Sequence, residues 1–67
     1  MIGVYILDGP HAKEFGYLFN VNARTAEVVT RTSIIRVDIS YILPLDVANN
    51  FSDVEQMVKN RALEIKE

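Results

Sequence analysis

The stretch from Val4 to Thr30, VYILDGPHAKEFGYLFNVNARTAEVVT, constrains the fold more than any other part of this sequence. It holds three apolar runs that are too short for ordinary helices and rich in β-branched and aromatic residues, which favours strands. Asp8-Gly9-Pro10 ends the first run, because glycine permits a positive φ and proline cannot donate to a ladder. Gly16, near the start of the second run, predicts a bulge or sharp bend where a side chain would collide with a crossing strand. The stretch therefore predicts three strands of one small sheet.

The residues that follow predict completion of the same sheet. Residues 35–39 alternate apolar and charged side chains, which indicates a strand with one buried and one wet face. Ser40-Tyr41 predicts a single helical turn, and Pro44 confines the strand after it to an edge of the sheet. The five predicted strands are Ile2–Leu7, Phe15–Val21, Ala26–Thr32, Ser33–Ile39 and Ile42–Leu45.

After Asn49-Asn50 the pattern becomes that of a helix, which we predict from Asp53 to Ile65. Ser52 and Glu55 have the spacing of a capping box, in which each side chain accepts a hydrogen bond from the other residue's backbone amide. The apolar side chains of this segment fall on one stripe, which predicts that the helix packs against the sheet. The stripe consists of Val54, Met57, Val58, Ala62 and Ile65.

The length of 67 residues predicts one domain, with residues 1–47 as the sheet and residues 51–66 as the helix packed on it. Without cysteine, no disulfide or thiolate metal site can reinforce its thin core. The formal net charge of -2 is shared between residues 1–47 and 48–67, so neither part is the basic block of a dedicated nucleic-acid binder. No signal-peptide pattern and no apolar run of about 18 residues is present, so we expect a cytoplasmic protein.

The pattern of residues 4–30 resembles the KOW motif of NusG-type transcription elongation factors and certain ribosomal proteins. The matching features are the alternating Val4 and Ile6, the strand end at Asp8-Gly9-Pro10, the central Gly16, the apolar Leu18 and Val21, and the closing Val28 and Val29. Residues 34–45 are similar to the strand, helical turn and strand that close such barrels. The resemblance covers roughly residues 2–46 and implies a mainly β fold, a small five-stranded SH3-like barrel, with one C-terminal α-helix outside the motif. It also implies a binding module rather than an enzyme, with RNA, DNA or protein as the partner.

His11 is the sole histidine and lies in the predicted loop after the first strand, three residues from Asp8. A general base or metal ligand would need convergent partners that the sequence does not supply, so we interpret His11 as an exposed loop residue. Asp8 is expected to accept backbone donors at the turn. No Gly-rich phosphate loop, serine-histidine-acid set or pair of catalytic carboxylates is visible. We therefore predict a protein without catalytic residues, metal site or cofactor.

Two groups of side chains are candidates for contacting a partner. The candidate nucleic-acid contacts are Lys13, Arg24, Arg31 and Arg36, the last two on adjoining predicted strands; alternatively, they are ordinary solvated charges. Tyr17 and Phe19 are expected on the face opposite Leu18, where Tyr5 would extend them into an exposed aromatic strip. Alternatively, the helix covers these rings as a second small core. The candidate protein-binding set is Tyr5, Tyr17, Phe19, His11 and Lys13.

Three functions follow from these observations. The acidic balance, the small size and the aromatic strip favour a protein-interaction module, a small regulator or inhibitor that docks on a larger complex. The motif resemblance and the four cations favour an RNA- or DNA-binding module acting in transcription or translation. The third is a structural homo-oligomer that buries the helix stripe or the aromatic strip against a copy of itself. We favour a protein partner, because about three phosphate contacts would give a non-specific Kd of only roughly 10⁻⁴ M.

Overall fold

The computed structural model describes the backbone of residues 1–65 and the side chains of residues 1–61. The elements are the strands β1 (Ile2–Ile6), β2 (Phe15–Val21), β3 (Thr25–Val29) and β4 (Ile34–Asp38), a 3₁₀ turn (Ile39–Tyr41), the strand β5 (Ile42–Val47) and the helix α1 (Phe51–Ile65). The strands form one antiparallel sheet in the order β4-β3-β2-β1-β5. The predicted mainly β class, with five strands and a C-terminal helix, is confirmed. The helical turn predicted before the last strand is also present.

The sheet curls strongly, but its hydrogen-bond ladder does not close into the expected barrel. Among the described residues, β4 and β5 are the two edges and do not pair with each other. A flat sheet of five strands would hold its edges about 19 Å apart, at roughly 4.8 Å per strand. The chain from Asp38 to Ile42 spans at most about 14 Å, so the short connection between β4 and β5 forces the sheet to curl. The curled sheet has a concave and a convex face, and both carry apolar side chains.

The concave face holds the main core. Val4, Ile6 and Val28 are fully buried there, and Ile35 and Val37 of β4 pack with them. Half-buried side chains from β2, β5 and the 3₁₀ turn surround this cluster; they are Leu18, Ile42 and Tyr41. Because all five strands contribute, this core fixes the curl of the sheet.

The convex face is covered by α1. Val54 is fully buried against Tyr17 and Ala48, and Met57 and Val58 pack around them. The predicted packing of the helix on the sheet is therefore confirmed for these three helix side chains. The predicted contacts of Ala62 and Ile65 lie outside the described side chains.

Residues 30–33 form a tight turn between β3 and β4, so both strands are shorter than predicted. The Thr30 amide donates to the Ser33 carbonyl at 2.8 Å. The buried Thr30 hydroxyl oxygen accepts hydrogen bonds from the amides of Thr32 and Ser33 at 3.3 and 3.2 Å. A threonine that bonds its own neighbouring backbone competes with strand pairing, which is why the ladder ends here. Arg31 consequently lies in this turn and not on a strand, which corrects its predicted position.

The helix begins two residues earlier than predicted, and its cap is different. The Asn50 side-chain oxygen accepts the Asp53 amide at 2.9 Å, and the Asp53 carboxylate accepts the Asn49 amide at 3.1 Å. Ser52 is exposed within the first turn, and Glu55 pairs with Arg31 instead of reaching back to the helix start. The predicted capping box at Ser52 and Glu55 is therefore wrong. The same reciprocal chemistry is present two residues earlier, around Asn50.

Replacing the cap should affect stability, whereas replacing the residue predicted as the cap should not. We expect Asn50→Ala to lower the free energy of unfolding by about 1 kcal/mol, because the Asp53 amide loses its acceptor. Ser52→Ala serves as the matched control and should change stability by less than about 0.5 kcal/mol. Urea denaturation of both variants measures the difference. Equal losses in the two variants would contradict the observed cap.

Candidate binding surface

The three aromatic residues of the predicted strip lie in different environments. Tyr17 is 7% exposed, and its ring centre lies 4.7 Å from that of Phe51 in the first turn of α1. Tyr5 is half-buried on β1, opposite Phe15. Phe19 is 63% exposed. The helix therefore covers Tyr17 as part of a second core, and the described residues contain no continuous exposed aromatic strip.

Phe19 belongs instead to a cluster of exposed apolar side chains at one end of the sheet. β1 begins at this end, and its antiparallel neighbours β2 and β5 finish there. We call the cluster the apolar rim; it consists of Met1, Ile2, Phe19, Val21 and Val47. Eight large apolar side chains are exposed among residues 1–61, and five of them are in the rim. Clustering of this kind distinguishes an interaction surface from the scattered apolar residues of an ordinary surface.

The strand pairing explains how these side chains come together. Ile2 lies directly opposite Val47, and the pairing of Gly3 with Tyr17 places Phe19 beside the start of β1. The Ala48 amide donates to the Met1 carbonyl at 2.7 Å, which ties the end of β5 to the start of β1. Ile2, Val21 and Val47 therefore lie on paired backbone, and the Met1 carbonyl is held by Ala48.

A β-bulge accounts for the exposure of Phe19. The β2–β3 register shifts between Leu18 and Asn20, so one residue of β2 is left without an opposite partner. Such bulges re-aim side chains at the edges and ends of sheets. Leu18 packs into the main core, and Phe19 beside it is exposed to solvent. The bulge or bend predicted at Gly16 is not a shift of register, which lies between Leu18 and Asn20 instead.

The rim contains no charged side chain. Exposed Asn20, Asn22 and Asp46 adjoin it along β2 and β5. An apolar, partly aromatic centre bordered by polar residues is the usual composition of a protein–protein contact. None of its five side chains offers a positive group for a phosphate.

His11 and Lys13, the other two candidate protein-binding residues, lie at the opposite end of the sheet. Both are in the loop that joins the end of β1 to the start of β2. The His11 ring nitrogen Nδ1 lies 2.9 Å from a Glu14 carboxylate oxygen. Lys13 has a φ of 75°, an unusual value for a residue with a side chain. Of the five predicted residues, only Phe19 therefore lies in the apolar rim.

The four candidate nucleic-acid contacts do not form one patch. Lys13 and Arg31 line the same cavity of about 270 Å³, together with Glu14. Arg24 is in the turn between β2 and β3, and Arg36 is on β4. The convergence of all four cations is therefore not observed.

Carboxylates accompany three of these cations. Arg31 donates to Glu55 at 3.1 Å, and its guanidinium also lies 5.7 Å from the centre of the Phe51 ring. Arg36 lies 3.4 Å from a Glu27 carboxylate oxygen. Arg24 is close enough to Asp38 to contribute to lowering the pKa of that carboxyl, although hydrogen bonds from Ser40 lower it more. Phosphate binding at these positions would compete with carboxylates that are already in place.

The turn at the end of β1 matches the chemistry expected for it. The Asp8 carboxylate accepts the Gly9 amide at 2.7 Å, so the predicted role of Asp8 at the turn is confirmed.

Within the described residues, no three histidine or carboxylate side chains are grouped as a metal site would require. In the same part of the chain, no helix combines the length and apolar character needed to cross a bilayer.

Sequence reasoning missed four of the five rim residues. Met1, Ile2, Val21 and Val47 stand at strand ends, where an apolar residue reads as part of a buried run. The signal that could have found them is that three neighbouring strands begin or end at the same end of the sheet. Recognising this signal requires knowledge of the strand order.

Comparison of the chain with protein-family models, curated proteins and solved structures found no match. The function is therefore argued from the geometry of the surface.

Proposed function

We propose that this chain is a non-enzymatic protein-binding module, a small regulator or inhibitor that docks on a larger complex through the apolar rim. The observation that carries the proposal is the cluster of exposed apolar side chains at one end of the sheet. Transfer of apolar surface out of water is favourable by about 25 cal/mol per Å². A complex in which a protein partner covers the rim gains this free energy, and no charged side chain of the rim has to be desolvated.

Phe19 is the expected centre of the contact. Aromatic residues are enriched at the desolvated centres of interfaces, and polar residues border them. Ile2 and Val47 are exposed apolar residues at the same end of the sheet as Phe19, and Asn20 and Asn22 supply the polar border. The pairing of Ile2 with Val47 reduces the conformational entropy that binding must remove.

The resemblance to the KOW motif supports a binding module but does not indicate whether the partner is a protein or a nucleic acid. We favour a protein partner for two reasons. The rim has no charged side chain, and three of the four candidate phosphate-binding cations already have a carboxylate neighbour.

A second candidate function is RNA or DNA binding in transcription or translation. It is favoured by the cavity that Lys13 and Arg31 share, since two cations on one concave surface can straddle a phosphate. Glu14 lines the same cavity, and Glu55 already accepts from Arg31. With about two phosphate contacts, non-specific affinity should stay at the weak end, with a Kd of roughly 10⁻⁴ M.

Substitution of Phe19 by a charged residue should abolish partner binding while the fold persists. We expect Phe19→Asp to reduce recovery of the protein partner at least tenfold in a nuclease-treated pull-down from the native host. Leu7→Asp is the matched control, because Leu7 is also an exposed apolar residue but directly follows the other end of β1. It should retain the partner. Circular dichroism spectra of both variants should match that of the unchanged protein.

The same variants distinguish the second function. Labelled RNA and DNA are titrated at two salt concentrations against the unchanged protein, Phe19→Asp and Lys13→Glu/Arg31→Glu. Micromolar binding that weakens steeply with salt, survives Phe19→Asp and is lost in Lys13→Glu/Arg31→Glu would overturn the protein-binding proposal. Retention of the protein partner by folded Phe19→Asp would overturn the assignment of the rim.

A further inference from the structure

Among the described residues, the outer edge of β4 is an unpaired hydrogen-bonding surface separate from the apolar rim. β4 pairs with β3 on one side and is the last strand of the sheet on the other. In antiparallel pairs the residues bond alternately to either side. The Ser33 carbonyl and the Ile39 amide both bond towards β3. Residues 34 and 36 therefore direct their backbone amides and carbonyls away from the sheet. Asp38 does the same with its amide, whereas its carbonyl is the first acceptor of the 3₁₀ turn.

This edge carries the charged Arg36 and Asp38 but lacks two other features by which proteins protect edge strands, a bulge and a proline. Its register with β3 is unbroken over five residue pairs, so it carries no bulge, and it contains no proline or glycine. The other edge, β5, is protected: Pro44 lacks an amide, and the register with β1 shifts between Ile2 and Val4. Unprotected edges are templates for pairing with another strand.

We propose that β4 pairs with β4 of a second copy of this chain, in an antiparallel dimer whose two-fold axis passes through Val37. The axis brings Arg36 of each copy directly opposite Asp38 of the other. The two sheets then form one continuous ten-stranded sheet. This association is independent of the function proposed for the rim.

Charge complementarity selects the position of the axis. Only the backbone groups that point away from β3 can bond to the second copy. This condition allows a two-fold axis at Ile35, Arg36 or Val37. An axis at Arg36 places two guanidinium groups opposite each other, which is unfavourable. An axis at Ile35 places Arg36 opposite Ile34 and leaves Asp38 without an opposite charge. The axis at Val37 forms the same Arg36–Asp38 pair twice, which is favourable on a sheet surface.

The groups that would meet are exposed in the single chain, where the Glu27 carboxylate oxygen 3.4 Å from Arg36 competes with Asp38 of the second copy. Ile34 and Arg36 have more than half of their side chains exposed, and Asp38 is fully exposed. Hydrogen bonds from the Ser40 amide and hydroxyl lower the pKa of the Asp38 carboxyl, so it stays ionised at neutral pH. Ile39, also exposed, would come opposite Ile35 of the second copy at the end of the shared ladder.

The decisive variant is Arg36→Pro. The Arg36 amide points away from β3, so proline removes a hydrogen bond of the dimer and none of the β3–β4 ladder. Sedimentation velocity should show the unchanged protein in a monomer–dimer equilibrium with a Kd of about 0.1–1 mM, because the shared ladder is short. Arg36→Pro should remain monomeric at 1 mM with an unchanged circular dichroism spectrum.

A charge exchange tests the register and stays informative if the proline variant does not fold. Arg36→Glu should weaken dimerisation at least tenfold, because two carboxylates then face each other. Adding Asp38→Lys should restore it. Lys13→Glu is the control: it makes the same change of charge in a loop away from β4 and should leave the dimer intact.

Three results would overturn the proposal. One is an unchanged protein that stays monomeric up to 1 mM. Another is a folded Arg36→Pro variant that dimerises as the unchanged protein does. The third is association that Phe19→Asp abolishes and the β4 variants do not, which would place the contact at the apolar rim.

Discussion

Gly16→Val should lower the free energy of unfolding by about 3 kcal/mol or more, and in a domain this small we expect much of the protein to be unfolded at 25 °C. A Cβ atom on residue 16 would overlap the backbone carbonyl of Val29 and approach the Thr30 Cα to 3.2 Å. These are backbone atoms at the end of β3, so no side-chain rotation can relieve the contact. Relief would require separating β2 from β3 beneath the main core.

The measurement is urea denaturation followed by far-ultraviolet circular dichroism. Asn20→Val is the matched control, because it introduces the same side chain into the same strand at an exposed position. It should change stability by less than about 0.5 kcal/mol. If Gly16→Val unfolds at the same urea concentration as the unchanged protein, the close approach of β2 and β3 at this residue is wrong. Gly16→Ala should already destabilise, since the Cβ atom alone produces the overlap.

The effect of Gly16 also illustrates what the sequence could predict about the fold. A glycine inside an apolar run indicates close backbone approach, and this interpretation is correct. The successive pairings from β1 to β4 follow from short connections, which leave consecutive strands few ways to pair, whereas the pairing of β5 with β1 does not. Closure into a barrel could not be predicted in the same way. It depends on whether the edge strands β4 and β5, although consecutive in the chain, come within hydrogen-bonding distance of each other along their length, and the local sequence pattern carries no such distance.

The helix start shows a different limit. Asn50 and Ser52 are both good capping residues, and each is followed three residues later by an acidic side chain. Local chemistry alone does not distinguish the two starts. Packing does: starting at Phe51 brings its ring against Tyr17 and places Val54 in the core. The same helix start buries Tyr17. The contact between Phe51 and Tyr17 therefore explains both why the helix is capped by Asn50 and why Tyr17 is not part of an exposed aromatic strip.

The candidate site was predictable only in part for a related reason. Phe19 was identified because aromatic residues stand out in a short strand. The other rim residues are aliphatic, and an aliphatic residue at a strand end is exposed or buried according to what lies beyond that end. The edge of β4 likewise becomes visible only when its neighbours are known, since Arg36 and Asp38 belong to an ordinary alternating strand pattern.

Removal of residues 50–67 should leave a chain that aggregates or fails to fold. The deletion takes away Val54, which is fully buried, and the half-buried Phe51, Met57 and Val58. Full burial of one such apolar side chain contributes about 1.5–3 kcal/mol, and the combined loss rivals the whole stability expected of a small domain. The deletion also uncovers Tyr17 and adds a second apolar surface to the rim. Size-exclusion chromatography and circular dichroism of the truncated chain measure this outcome.

Val54→Asp tests the same contact in the full chain. Among the described side chains, those that pack around Val54 are apolar, and burying an unpaired charge is among the costliest single changes. We expect a loss of about 3 kcal/mol or more in the free energy of unfolding. Gln56→Asp is the control, because it adds the same charge to an exposed position of the same helix. A truncated chain as stable as the full one, together with equal stability of Val54→Asp and Gln56→Asp, would show that α1 does not stabilise the sheet.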